Sequence, residues 1–477
     1  MNGIARFFDK RGLTLLFIAF VFVTGGSARG DIASLLMLRP VAILALAYAI
    51  ATLPREVVKD NSVLLFLAVA WLILPLVQLI PLPPALWQSL PGRELAVSVG
   101  AAAGLDEVWR PISLVPWRTL NALFALVVPL AVLLMVVSLS RRDLKPVIYL
   151  LLTLVVLSAV LGLLQVIGGT GNAFYTYRIT NPDSAVGLFA NRNHNAVFLS
   201  LGFVFIAAFL SVAPTKAEYV RLREYAGAGA GVLLIPFILT TQSRAGLVIM
   251  LLSIGLALWT YRSPASQLQK RRPRKAFDPR IAFAGLAGIG IIGLTVLLTA
   301  TNAVERLSRT GQEDDELRLE IWPPIFELVG QYMPFGSGLG TFVEIYQTRE
   351  PAELLQPSYI NHAHNDWLEV LMTGGLLAAA VLIIAILFAA VRTKDAVWVR
   401  KGTLDGVYRR VGASICLVLA IASVYDYPLR TPALAALFAI GCVFLTARWR
   451  ELGSSTKSDT VAVQTGSRSR AAMDDGS

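Results

Sequence analysis

The three histidines of this chain occupy positions that indicate proton chemistry. His194, His362 and His364 all lie in short polar motifs that border long apolar runs. The motifs read Asn191-Arg-Asn-His-Asn195 and Asn361-His-Ala-His-Asn-Asp366. Imidazole exchanges a proton near neutral pH, and a polar cluster at a membrane edge costs free energy unless something uses or satisfies it. The placement therefore indicates chemistry at a membrane boundary.

Arg244 is a candidate anion ligand. It lies in Thr240-Thr-Gln-Ser-Arg-Ala-Gly246, between two apolar runs. A guanidinium group stays charged and offers a planar set of donors that matches phosphate oxygens. Gln242 beside it favours a binding site. The alternative is an interfacial arginine that reaches lipid headgroups.

Arg318 is a second candidate anion ligand. It precedes Trp322 by four residues, which places both side chains on one face if the segment is helical. Arg318 would then bind phosphate, and Trp322 would form an apolar or sugar-stacking wall. The alternative is local ion pairing with the acidic run Glu313-Asp-Asp-Glu316.

His364 precedes an apolar segment that reads as a helix from Trp367 onward. A helix N-terminus attracts anions and tends to keep a neighbouring imidazole neutral, so His364 could deprotonate or orient an attacking hydroxyl beside a bound phosphate. The alternative is that His362, His364 and Asn365 only cap the helix and contact headgroups.

Asn193 and His194 start another apolar run, where they could contact sugar hydroxyls or satisfy one another. The acidic run 313–316 could bind a hard cation, but no paired carboxylates stand beside the histidines in sequence, so we predict no metal. Nucleophile triads and Rossmann or phosphate-loop fingerprints are absent from the sequence, and we predict no cofactor.

The composition predicts an all-α polytopic membrane protein. Of 477 residues, 56% are hydrophobic and 15% charged, and the mean hydropathy is +0.65. Apolar stretches long enough to cross a hydrocarbon core of about 30 Å recur along the chain and predict about twelve helices. The predicted spans are 12–28, 33–53, 62–80, 118–139, 146–168, 194–213, 226–241, 245–261, 281–300, 368–391, 411–425 and 430–447.

The net charge is +11, and the charged residues are distributed as in a protein that crosses a membrane several times. Basic residues concentrate in every second loop, which predicts that these loops and both termini are cytoplasmic. The loop at 301–363 has ten acidic and four basic residues and is predicted to lie outside. This pattern explains the charge without a nucleic-acid partner. Cys416 and Cys442 lie in apolar spans and read as small buried hydrophobic residues.

The loop at 81–117 contains several prolines, which we expect to exclude a regular helix, and tryptophans suited to the headgroup region. The predicted units are N-terminal membrane helices at 1–168, central membrane helices at 169–300, an extracytoplasmic (periplasmic) subdomain of short helices at 301–367 before the tenth span, C-terminal membrane helices at 368–450 and a disordered cytoplasmic tail at 451–477.

Taken together, these motifs resemble those of the O-antigen ligase superfamily, which includes O-antigen ligases, O-antigen and exopolysaccharide polymerases, and protein O-oligosaccharyltransferases. The closest match is His364-Asn365, followed after nine residues by Gly375 and then by Ala378. The elements around Arg244 and from Arg318 to Phe342 accompany it in order, across roughly residues 185–380. His362 departs from the family pattern.

The resemblance implies a bacterial inner-membrane glycosyltransferase with a periplasmic active site, without metal or nucleotide sugar. Its donor would be a glycan on undecaprenyl pyrophosphate, transferred with inversion to an acceptor hydroxyl. Arg244 and Arg318 would hold the pyrophosphate, and His364 would activate or position the acceptor. We expect an O-antigen ligase acting on lipid A-core. The alternatives are a polymerase with another lipid-linked glycan as acceptor, and a transporter or flippase.

Overall fold

A computed structural model describes residues 9–212, 219–262, 320–355, 359–398 and 403–446. Within them the chain is an all-α membrane protein with almost no strand. The strands β1 and β2, Pro81–Leu82 and Arg110–Pro111, form one short antiparallel pair that closes the base of an extramembrane loop. The prediction of an all-α membrane protein is confirmed for the described residues.

The helices follow one another along the described chain with short connections. They are α1 Lys10–Thr24, α2 Leu35–Ala51, α3 Arg55–Asp60, α4 Ser62–Gln78, α5 Pro84–Gln88, α6 Glu94–Ala102, α7 Pro116–Val137, α8 Leu144–Ile167, α9 Arg192–Val212, α10 Val220–Leu239, α11 Arg244–Thr260, α12 at 320–332, α13 Phe342–Tyr346, α14 Asp366–Trp398, α15 Leu404–Tyr425 and α16 Pro432–Thr446. Single 3₁₀ turns lie at Arg141–Asp143, Ala352–Leu354 and Pro428–Arg430.

Six of these helices, α7 to α10, α14 and α15, are long and apolar enough to cross a membrane, and α2, α4, α11 and α16 are shorter apolar helices. Each span predicted from the sequence overlaps a described helix except 281–300, which lies outside the described residues. The total of about twelve spans therefore stays a prediction.

Helix α9 lies at the centre of the bundle. It packs against α8, α10, α11 and α15, and 89% of its most apolar 18-residue stretch is buried inside the protein. A helix that is apolar on all sides is stable in this position because neighbouring helices cover its whole circumference. The N-terminus of α9 is therefore held firmly, and it carries Asn193 and His194.

The described candidate site residues meet at one end of the bundle, which we call the site end. It is formed by residues 168–191, 240–244, 361–366 and 425–431. Hydrogen bonds join these segments: Ala185 N–H donates to the Thr240 carbonyl, and Asn191 donates to Asp426.

The loop at 81–115 contains two short helices, so the expectation that its prolines exclude a regular helix was wrong. Helix α6, Glu94–Ala102, has nine residues and lies between Pro91 and Pro111, where no proline interrupts it. Its neighbour Arg93 is buried and donates to the carbonyls of Ile112 and Gly336, which ties this loop to the segment after α12.

Helix α14 is broken near its start by Gly375, whose φ of 63° and ψ of −159° are not helical. The segment 334–338 fills the break. Ser337 and Gly338 donate to the carbonyls of Met372 and Thr373, while Leu376 N–H donates to the Pro334 carbonyl. These bonds satisfy backbone groups that a break would otherwise leave unpaired inside the protein. The short first part of α14 therefore has a fixed direction, and it carries the histidine motif.

Candidate active site at the end of the helix bundle

The loop 361–365 presents two of the three histidines at the start of α14. His364 adopts a left-handed backbone conformation, with φ of 49°, which is uncommon for a residue with a side chain. Its neighbours hold it there. Ala363 N–H donates to Glu369 Oε2 at 3.1 Å, and the Asn365 side chain accepts the Leu368 N–H at 3.1 Å. Strain of this kind persists where the surrounding structure enforces it, and it is common at functional sites.

Tyr427 brings the three histidines together. The centroid of its ring lies 4.3 Å from that of His362, 5.0 Å from that of His364 and 5.3 Å from that of His194. His194 is fully buried, and its Nδ1 shares a hydrogen bond of 2.9 Å with Thr431 Oγ1. His194 lies 168 residues before His362 in the sequence, and the structure assembles the two motifs around one aromatic ring.

Asp426 connects the two polar motifs. Its Oδ2 accepts hydrogen bonds from Asn193 at 2.7 Å and Asn191 at 3.2 Å. Its Oδ1 lies 3.4 Å from His364 Nδ1, a distance that permits ion pairing when the imidazole is protonated. Since the Asp426 side chain is only 6% exposed and that of His364 is 24% exposed, the carboxylate is shielded while the imidazole reaches solvent.

A second cluster of buried charges lies beside the loop. Arg430 Nε donates to Asp366 Oδ1 at 2.9 Å, and its Nη2 lies 3.4 Å from Glu369 Oε1. Burial alone would lower the pKa of Arg430, but the charges of Glu369 and Asp366 outweigh it and raise the pKa above its ordinary value. Arg430 therefore remains a cation and binds the first turn of α14 to the turn before α16.

Arg244 is the first residue of α11 and is half-buried. The next two residues of this helix, Ala245 and Gly246, line a narrow cleft together with His194 and Asp426. The start of α11 thus adjoins the histidine cluster, as the starts of α9 and α14 do. Three helix N-termini at one place supply partial positive charge and attract anions.

The remaining predicted residues fall into three groups. Gln242 has φ of 56° in the turn before α11, and its amide donates to the Asp183 carbonyl at 3.0 Å, so it fixes a loop. Trp322 donates its indole N–H to the Ala363 carbonyl at 3.1 Å and so supports the histidine loop; its sugar-stacking role stays a prediction. Arg318 and the acidic run 313–316 lie outside the described residues.

Comparison with known families adds to this geometry. Residues 229–383 match the family model described as O-antigen ligase. About a third of the chain therefore resembles an O-antigen ligase domain. The resemblance to the O-antigen ligase superfamily predicted from the motifs is thereby confirmed. No curated protein matches the chain.

The matched O-antigen ligase region includes Arg244, Trp322 and the loop 361–365, whereas Asn193, His194 and Asp426 lie outside it. O-antigen ligase family members are glycosyl-transferring enzymes, and the match indicates an O-antigen ligase-like or polymerase-like function. The apolar helices and the match together indicate a multi-pass membrane protein.

Asp426, Tyr427 and Arg430 are candidate site residues that the sequence motifs did not identify. They lie in Tyr425-Asp-Tyr-Pro-Leu-Arg430, a polar interruption between two apolar runs. This interruption is itself a local signal, because charged residues beside a membrane span cost free energy unless they have a partner. Their partners are in the histidine motif, at a separation in sequence that no local pattern reveals.

Proposed function

We propose that the protein transfers a glycan from undecaprenyl pyrophosphate to an acceptor hydroxyl, and that the histidine loop is its active site. The observation that carries this proposal is the cluster at the site end. His364 is partly exposed, lies beside the buried Asp426 carboxylate, and adjoins the helix that begins with Arg244. These groups fall in or against the O-antigen ligase domain.

The reaction is a single displacement at the anomeric carbon of the donor. The acceptor oxygen forms the new glycosidic bond while the bond from the anomeric carbon to the phosphate oxygen breaks, and its electron pair leaves with the pyrophosphate. His364 takes the hydroxyl proton through its Nε2, and Asp426 stabilises the resulting imidazolium. One displacement inverts the configuration of the transferred sugar.

Arg244 and Arg318 stabilise the departing pyrophosphate. The charge on the leaving oxygens grows in the transition state, so fixed guanidinium groups and helix N-termini lower the barrier without reorganising. Removing one such donor commonly reduces the rate by about 10²–10³-fold. Because the arginines neutralise this charge, the proposal requires no metal ion and no cofactor. Transfer should therefore continue in the presence of a chelator.

The charge pattern of the loops supports a periplasmic site in the bacterial inner membrane with cytoplasmic termini. The lipid-linked donor reaches the site laterally among membrane lipids. Lipid A-core is our proposed acceptor, which makes the protein an O-antigen ligase. A polymerase that uses a second lipid-linked glycan shares the same chemistry.

Disruption of the gene followed by lipopolysaccharide profiling tests the acceptor. A ligase leaves core without polymer and accumulates lipid-linked polymer. A polymerase leaves core carrying a single repeat, and that result would exclude the ligase assignment. The matched control is complementation with the wild-type gene and, separately, with the His364→Ala variant. The two proteins are compared at equal amounts in the membrane.

A further inference from the structure

The histidine loop contains two imidazoles, His362 and His364, that face the same Tyr427 ring. Each lies beside a buried carboxylate, and either could in principle accept a proton. Their surroundings differ, and that difference assigns the two residues separate tasks. The argument rests on the proposed glycan transfer.

His362 is held by Glu369. Its Nδ1 lies 3.2 Å from both Oε1 and Oε2 of Glu369, whose side chain is 1% exposed. An ionised carboxylate only accepts hydrogen bonds, so Nδ1 of His362 carries the hydrogen. The tautomer is fixed by this contact, and the ring is held in one orientation against Tyr427.

Glu369 has other partners besides His362. The Glu369 charge is shared with Arg430, whose Nη2 lies 3.4 Å from Oε1, and its Oε2 also accepts the Ala363 N–H. Glu369 therefore joins His362 to Arg430 and to the backbone of the loop.

The same contacts determine where His364 lies. Glu369 binds the side chain of His362 and the backbone of Ala363, the two residues before His364. Tyr427 packs against both imidazoles. Since His364 occupies a left-handed conformation, it depends on neighbours that hold the chain on each side.

We propose that His362 is a positioning residue: clamped between Glu369 and Tyr427, it holds the loop that presents His364, and it does not accept the proton of the acceptor hydroxyl. Arg430 completes the clamp by fixing Glu369 and Asp366 to the turn before α16. The other charged and titratable groups around His362 are Asp366, His194 and His364.

The test compares asparagine and alanine at position 362. In His362→Asn the amide nitrogen replaces Nδ1 as a donor to Glu369, but the side chain has no basic nitrogen. In His362→Ala the donor is lost. The matched variant is His364→Asn. Each protein is purified in detergent, its thermal unfolding is recorded, and the turnover of a fluorescently labelled lipid-linked glycan donor is measured with acceptor from pH 5 to 9.

We expect His362→Asn to keep kcat within about threefold of wild type with an unchanged acidic limb of the pH profile. His362→Ala should lower kcat at least tenfold below His362→Asn while KM changes less than twofold. His364→Asn should lose the contribution of a general base, about 10²–10⁴-fold.

The proposal is overturned if His362→Asn is as inactive as His364→Asn while both remain folded, or if His362→Ala equals His362→Asn. Failure of the proposed function gives a different result. In that case wild-type protein shows no turnover of the donor, or His364→Asn turns it over at the wild-type rate.

Discussion

Substitution of Gly375 by alanine should destabilise the protein through the break in α14. At φ of 63° and ψ of −159° the residue occupies a region open essentially to glycine alone. Adopting it with a side chain costs about 1–3 kcal/mol. The added Cβ would also lie 2.3 Å from the Pro334 carbonyl oxygen and 2.7 Å from the Gly336 nitrogen, both of them backbone atoms.

Backbone atoms cannot move aside as the end of a flexible side chain can, and overpacking of this kind costs about 1–3 kcal/mol. The two effects together give a loss of about 2–6 kcal/mol in the free energy of unfolding. The loss should appear as a lower midpoint of thermal unfolding in detergent. Glycan transfer should fall as well, since the first part of α14 carries the histidine loop.

Gly330→Ala is the matched control, because Gly330 lies in α12 with no atom within 4 Å of the added Cβ. Alanine in a helix is more favourable than glycine by about 0.5–1 kcal/mol, so this variant should be as stable as wild type or slightly more stable. If Gly375→Ala unfolds at the same midpoint as Gly330→Ala, the description of the break is wrong.

Three further outcomes are expected. Gln78→Ala removes the donor to the Thr373 carbonyl and the acceptor of the Leu339 N–H, both buried, and should destabilise the protein by about 2 kcal/mol in chemical unfolding; an unchanged midpoint contradicts this. Asp426→Asn should lower kcat about 10–100-fold with little change in KM, and wild-type kcat refutes the His364 pairing. Mild copper-phenanthroline oxidation should join Cys416 to Cys442, whose sulfurs lie 3.9 Å apart, and mass spectrometry of the peptide pair detects it; no such peptide contradicts the α15–α16 packing.

The membrane helices could be predicted from the sequence because burial in a membrane requires a continuous apolar stretch of fixed length. Each predicted range among the described residues overlaps a helix, and the boundaries differ by up to seven residues. The apolar run contains the pair Gly374-Gly375, but a glycine pair alone does not predict a break, and we expected none there. Only the segment 334–338, distant in sequence, fills the break.

The candidate site was predictable where its residues stood out locally. Histidines and arginines at the ends of apolar runs, such as His364 and Arg244, could be found in this way. Asp426 and Arg430 carry the same local signal, but a charge at a span boundary is also typical of lipid-headgroup contact, so the signal alone did not identify them as site residues. The partners that distinguish the two cases are His364 and Glu369, which lie about 60 residues away in sequence.

We propose that the loop around His364 transfers glycan with the help of Arg244. An assay with purified protein, lipid-linked glycan and lipid A-core tests this proposal when the glycan-bearing product and the released undecaprenyl pyrophosphate are both measured. We expect wild type to form the two products in equal amounts, and His364→Ala, Arg244→Ala and Arg318→Ala each to lose at least 99% of the rate while remaining folded. Wild-type rates in all three variants would contradict the account.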